Sequence, residues 1–247
     1  MNDERPPVRR QKMATVVADA IADDILARGL RTGDVLPTES AMIEKYKVAR
    51  STLREALLLL ESEGLVTVRP GRAGGPVVQR PTPEHLARRL SLLLSVSGAS
   101  FGDVVRARRV IEPALVAGAA RRASAEQQAA LAASVQTMAD AIGDETAFLR
   151  VNQEFHGLVA HAAGSEVLAA FWFAIQRIAD GHEAGIRFGQ AARRDAVRAH
   201  RRILTAIENG DPEAASAEMA RHLDAFAALI ADRYPELLTD QVQVIRA

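Results

Sequence analysis

The chain has 247 residues, 48% of them hydrophobic, which is enough for two domains of ordinary size with a core in each. Its 31 basic and 31 acidic side chains cancel, which excludes a protein whose whole surface grips nucleic acid and confines any such role to a local patch. There is no cysteine, which excludes disulfides and thiolate chemistry, and neither an uninterrupted apolar run nor a signal-peptide-like start, so a cytoplasmic protein without membrane contact is expected.

Residues 1–12 read as a polar, proline-containing arm, expected to be flexible. Val17, Ala20, Ile21 and Ile25 then recur at helical spacing, with Asp19, Asp23 and Asp24 largely on the other side, and predict a helix over 13–28. Gly29 and Gly33 interrupt it, and Pro37 with Thr38 leads into a short second helix over about 39–45. A third helix begins near Ser51, with Leu53, Ala56, Leu57 and Leu60 in one apolar stripe and Arg50 and Arg54 together beside it. Gly64 ends it. LVTV at 65–68 and PVVQ at 76–79 read as short strands joined by the basic, glycine-rich loop RPGRAGG. Helix, helix, turn, helix, hairpin is the order of a winged helix-turn-helix, here over 13–79.

RPTPEH at 80–85 reads as a compact linker, placed at 80–84, because closely spaced prolines resist both helix and central strand. From 85 to 232 there is no convincing strand, only alanine- and leucine-rich helical periods broken near Gly98, Ser124, Gly143, Gly164, Gly189 and Gly210. Ser124 with Gln127 fits a capping box, and Asp211 before Pro212 fits an N-cap with proline at the first helical position. The expected fold is therefore mainly α: a winged helix-turn-helix with a small β-hairpin wing, then an all-α bundle of six or seven helices, with 233–247 as a tail that extends the last helix or frays.

A helix entering the major groove needs polar or basic side chains near its N-terminus, where guanine edges and phosphates accept them. VARSTLREAL at 48–57 offers such a set, and Arg72 stands at the hairpin tip, within reach of an adjacent groove or backbone. Two arginines four apart are by themselves more often a solvated face. Here they stand among GDVLPTE at 33–39, EGLV at 63–66 and a glycine-bearing wing, and these pieces together resemble the GntR family of bacterial regulators. The resemblance implies DNA contacts from Arg50, Ser51, Thr52 and Arg54 on the recognition helix and from Gly71 at the wing tip.

NQEFH at 152–156 places Asn152 and His156 one turn apart on one helix face, and His200 and His222 lie on two later helices. Three imidazoles and an amide oxygen can enclose a divalent cation such as zinc, nickel or manganese, although scattered histidines are more often core or surface residues. RARRVIEP at 106–113, FLRVNQEFH at 148–156, AHRRILTAIENGDPEAA at 199–215 and MARHL at 219–223 resemble the FCD effector domain found in the FadR branch of the GntR family. That resemblance implies a metal held by Asn152, His156, His200 and His222 beside a small carboxylate effector. A neutral amide leaves the site one negative charge poorer than an aspartate would, which lowers the expected metal affinity.

Arg108, four residues before Glu112, and Arg187 are the candidates to recognise an anionic effector, and an ion pair between Arg108 and Glu112 is compatible with that role. His85, His161 and His182 match no ligand position and are expected to be structural or exposed. Phe171, Trp172 and Phe173 fit either bundle core or pocket lining. The whole points to a homodimer on a short palindromic operator, a repressor released when an organic acid binds. Two rivals remain: a metal-free pocket for a fatty acyl group or acyl thioester, and a metalloenzyme. Against an enzyme, Glu154 points away from the face shared by Asn152 and His156, leaving no evident general base.

Overall fold

A computed structural model describes residues 7–69, 75–183 and 185–245, except the side chains of 7–11 and 181–183. The chain divides into two compact units, Met1–His85 and Leu86–Ala247.

The first unit contains α1 (Pro7–Ala27), α2 (Glu39–Tyr46), α3 (Arg50–Ser62) and the strands β1 (Val66–Arg69) and β2 (Gly75–Val78). α1 starts well inside the stretch expected to be a flexible arm. Pro7 opens it, a position where a missing N–H costs nothing because the first helical amides have no intrahelical partner. Thr38 caps α2 by accepting from the Ala41 amide at 3.3 Å. α2 ends on Lys47 in the left-handed conformation, with φ of 53°, an uncommon state for a residue with a Cβ that turns the chain sharply into α3. Ile21, Met42, Leu53, Leu57 and Leu60 of the helices pack with Val66 and Val78 of the hairpin in one core.

β1 and β2 pair antiparallel, Val66 opposite Val78 and Arg69 opposite Gly75. Val35 bridges to Val77 and so adds a third extended segment that its position between Gly33 and Pro37 concealed. At Gly64, φ is +75° and an added Cβ would lie 2.4 Å from the His85 ring, so only glycine fits between the end of α3 and that imidazole. His85 accepts from the Thr82 amide through Nδ1 at 3.2 Å, a structural role.

The second unit is built of α4 (Pro83–Val96), α5 (Phe101–Arg122), α6 (Ala125–Asp140), α7 (Glu145–Ala162), α8 (Glu166–Glu183), α9 (Gln190–Glu208) and α10 (Pro212–Arg233). α4 already begins at Pro83, again with proline at the first helical position, so the linker is shorter than 80–84 and the boundary between the units falls inside this helix. Capping boxes start α5 (Ser100 with Asp103) and α6 (Ser124 with Gln127), and Asp144 and Asp211 cap α7 and α10. α5 runs through the middle and touches α7, α8, α9 and α10. It comes closest to the end of α7 at Gly118, where an added Cβ would sit 2.6 Å from the Ala163 carbonyl oxygen.

The tail neither extends α10 nor frays. A 3-10 turn at Pro235–Thr239 leads back across α5 and α4, and Val242 is fully buried with Phe101, Val105 and Ile230. The Phe101 amide donates to Asp240 O at 2.8 Å, the Val242 amide to Ala99 O at 2.9 Å, and the Ile245 amide to Ser91 Oγ at 3.0 Å. Docking satisfies backbone groups that a frayed end would leave to water. Among the described residues no helix is long and apolar enough to cross a membrane.

Candidate functional site

In the first unit α3 presents two faces. Thr52, Leu53, Ala56, Leu57 and Leu60 are buried, while Arg50 and Arg54 are exposed on the other side, Arg54 within 3.4 Å of Glu39. Thr52, expected to contact DNA, is only 7% exposed and shares the core-facing stripe one turn before Ala56. Ser51 is half-buried. Ala49 at the N-cap makes no side-chain hydrogen bond, so no side chain competes for the first amides of α3, and a helix N-terminus in that state favours an anion such as phosphate. Gly71 and Arg72, the expected wing contacts, lie outside the described residues.

In the second unit His156 on α7, His200 on α9 and His222 on α10 converge, their ligating nitrogens all within 4.8 Å of one another. Phe155 stacks on the His200 ring at 4.3 Å between centroids and fixes its plane. Glu112 on α5 receives two partners: His156 Nδ1 lies 2.6 Å from Oε2 and Arg108 Nε donates to Oε1 at 2.7 Å, with all three side chains buried. Because a carboxylate only accepts, Nδ1 of His156 carries a proton, and in the neutral ring Nε2 then presents its lone pair. That Nε2 is buried and has no partner. An orphaned acceptor facing two further imidazoles is the arrangement a cation satisfies, and a carboxylate behind a ligating histidine is the usual second partner that orients it.

Burial pushes the Glu112 carboxyl up, but the Arg108 guanidinium and the His156 ring outweigh it and hold the group well below the usual carboxylate range. Burial, followed by the neighbouring His222 and His156, lowers His200 well below its ordinary value. His222 is pushed down to about 3 by burial first and by His156 second. Two neutral imidazoles therefore face each other, Nε2 to Nε2 at 3.2 Å, a contact in which one ring must donate and the other accept. Neutral rings are the form that binds a metal.

Beside the histidines lies a cavity of about 350 Å³. His156, His222, Asn152 and Arg108 line it, with Phe148, Phe188, Phe226 and Leu229 supplying apolar wall. Arg108 pairs with Glu112, lies 5.6 Å from the Phe226 ring and lines the cavity. Arg187 does not reach it. Its side chain is 81% exposed and turns to Glu145 at 3.3 Å, because the Arg187 amide is tied to the Tyr234 hydroxyl and the Phe188 amide to Glu145. His161 packs on Phe173 as a structural residue, and the side chain of His182 lies outside the described residues. Trp172 is core, Phe171 is partly exposed, and none of Phe171, Trp172 and Phe173 lines the cavity. Glu154 is exposed and points to Arg150.

Several residues of the site carried no local signal. Arg202 and Arg221 line the cavity and share Glu218, and Gln153 joins Asp180 across two helices. Glu112 was legible as the partner of Arg108 but not as that of His156, 44 residues away. One signal was present: Arg108 and Glu112 occupy the same spacing as Val104, Val105, Leu115 and Val116, so two charges stand in the buried stripe of α5.

Residues 13–74 match the family described as "Bacterial regulatory proteins, gntR family", and residues 103–225 match the "FCD domain". The HTH-type transcriptional repressor NanR of Salmonella newport (strain SL254) is 27% identical over 91% of this chain and 87% of its own length. That of Enterobacter sp. (strain 638) is 25% identical with the same coverage. Among solved structures, Streptococcus agalactiae GntR superposes with a TM-score of 0.66 at 24% identity, covering 87% of this chain and 99% of that one, which shows a shared fold. A DNA-binding winged helix followed by an effector-binding FCD domain is the build of a transcription regulator rather than an enzyme, and this chain belongs to the GntR family of bacterial regulators.

Proposed function

We propose that the protein is a transcriptional repressor, acting as a homodimer on a short palindromic operator, whose DNA binding is set by a small carboxylate held in a metal-assisted pocket. The observation that carries the pocket reading is the orphaned, buried Nε2 of His156, oriented by Glu112 toward His200 and His222 at the wall of a cavity that also holds Arg108. The relatives named as repressors support the direction of control.

His156, His200 and His222, with Asn152 one turn before His156, would hold the cation: zinc, nickel or manganese by the chemistry of the donors. When bound, it supplies a positive centre for a carboxylate oxygen. The chain's own residues do the rest. Glu112 keeps His156 in the right tautomer, Phe155 holds the plane of His200, and Arg108 offers a guanidinium at the cavity wall. A metal-free acyl pocket would leave the Nε2 of His156 without a role.

Only an effector with different affinities for the two arrangements of the DNA-binding units can move the balance, and operator release on binding is the sense we assign. Elemental analysis of untagged protein purified without added metal tests the reading. A transition metal is expected in the wild type and is expected to be lost in His156→Ala. Metal in neither protein, with none taken up on addition, removes the metal-assisted pocket.

On the DNA side, Arg50 and Arg54 are the exposed basic residues of α3. Arg50→Ala is expected to weaken specific operator binding by about 1 to 3 kcal/mol and to relax preference at one base pair if the side chain reads a guanine. Fluorescence anisotropy on operator and random duplexes checks this. Equal losses on both would mark a phosphate contact.

A further inference from the structure

The histidines and Arg108 account for one end of the cavity. Three other polar residues, Gln153 on α7 and Gln176 and Asp180 on α8, have no place in recognising a carboxylate. All three line the space. Both glutamine amides donate Nε2–H to the same oxygen of Asp180, Oδ1, at 2.8 Å. A carboxylate only accepts, so each amide must turn its NH₂ group to Asp180 and its own carbonyl oxygen elsewhere. The carbonyl oxygen of Gln176 is then buried without a partner, on a residue 8% exposed.

Oδ2 of Asp180 has capacity left. Arg177 stands 3.8 Å away, beyond a hydrogen bond, and half of its side chain is in solvent. This end of the cavity is therefore a set of acceptors, one of them an anion, with donors missing. Nothing about an acidic ligand calls for that, since a carboxylate placed in a pocket for an anion repels it unless the ligand brings compensating charge. The apolar neighbours Trp172 and Ile178 do not require it either: a glutamine on that buried face could be replaced by an apolar residue without leaving a polar atom unpaired.

We propose that Asp180, clamped by Gln153 and Gln176, binds an ammonium group of the effector, so that the ligand is a zwitterionic amino acid whose carboxylate lies at the histidine end. An ammonium carries only donors and a full charge, and hydrogen bonds between two ions are roughly twice as strong as neutral ones. Gln153, which holds Asp180, precedes His156 by three residues on α7, about 4.5 Å of helix rise, a spacing on the scale of a short amino acid. The inference rests on the carboxylate reading of the pocket and adds the second recognition point.

Calorimetric titration of the full-length, metal-loaded protein with 4-aminobutanoate, 5-aminopentanoate and 6-aminohexanoate tests it, alongside the hydroxy acid and the unsubstituted acid of each length. At the best length the amino acid is expected to bind at least about tenfold more tightly than both of its analogues. In Asp180→Asn, which keeps the shape of the side chain and removes its charge, the ratio is expected to fall toward one. A purely structural Asp180 would weaken all three ligands alike and leave their ratio intact, which overturns the proposal. So does equal binding of the hydroxy acid, or of the unsubstituted acid, in the wild type, and that comparison stands even if the variant does not fold. Binding of unsubstituted acids without preference sinks this inference alone, whereas no binding by any carboxylate removes the pocket reading along with it.

Discussion

Glu112→Gln is expected to reduce metal affinity by about 10- to 100-fold, the usual consequence of removing the partner that orients a ligating histidine. The carboxylate serves His156 with one oxygen and Arg108 with the other. An amide has a single acceptor and cannot serve both. If that oxygen stays with Arg108, the NH₂ group faces Nδ1 of His156 and selects the tautomer whose Nε2 carries a proton and cannot ligate. If it turns to His156, the buried guanidinium of Arg108 loses its anion, a loss of about 3 to 5 kcal/mol for a broken buried pair. Competition with a chelating dye reads the first effect and urea denaturation the second. Unchanged metal affinity together with reduced stability would assign Glu112 to Arg108 alone.

Phe155→Ala is expected to cost about 3 to 5 kcal/mol of stability, because it removes a fully buried ring from the core between α7 and α9. The effect should fall on the unfolding of the second unit and spare the winged helix, whose core is separate. Phe155 also stacks on His200, so the alanine variant frees that ring to turn. Phe155→Leu keeps most of the volume and loses the stacking plane. It is expected to retain most of the stability but to bind metal less tightly than the wild type, and equal metal binding by the two would show that packing around His200 suffices without the aromatic face.

How much of this was legible in the sequence depended on how local each cause was. Ser124 with Gln127, Asp211 before Pro212, and the glycine breaks at Gly98, Gly164 and Gly210 act through their neighbours in sequence, and their elements begin and end where expected. The recognition helix was readable from its stripe, whereas Thr52, expected at the DNA from the resemblance, shares the buried stripe with Ala56. Arg187 failed for a different reason: its direction is set by Tyr234 and Glu145, 47 and 42 residues away, which no spacing rule reveals. The same distance hid the clamp on Asp180, since Gln153 lies 27 residues from it. Asn152 does line the cavity, one turn before His156, because that pair needed only the period of one helix.

The buried strap after α10 has a consequence for how the second unit folds. Most of its helices meet through short connections, the low-contact-order pattern that folds fast. The strap is different, since Ile245 bonds to Ser91 and Gln241 to Ser95, separations of 154 and 146 residues. Closing a loop that long adds little to its entropic cost, which grows only with the logarithm of its length. Its timing changes more, because the docking surface for Val242 exists only after α5 and α10 have come together. The bundle should therefore assemble first and the strap lock last, so that in hydrogen exchange the amides of Val242 and Ile245 open before those at the centre of α5.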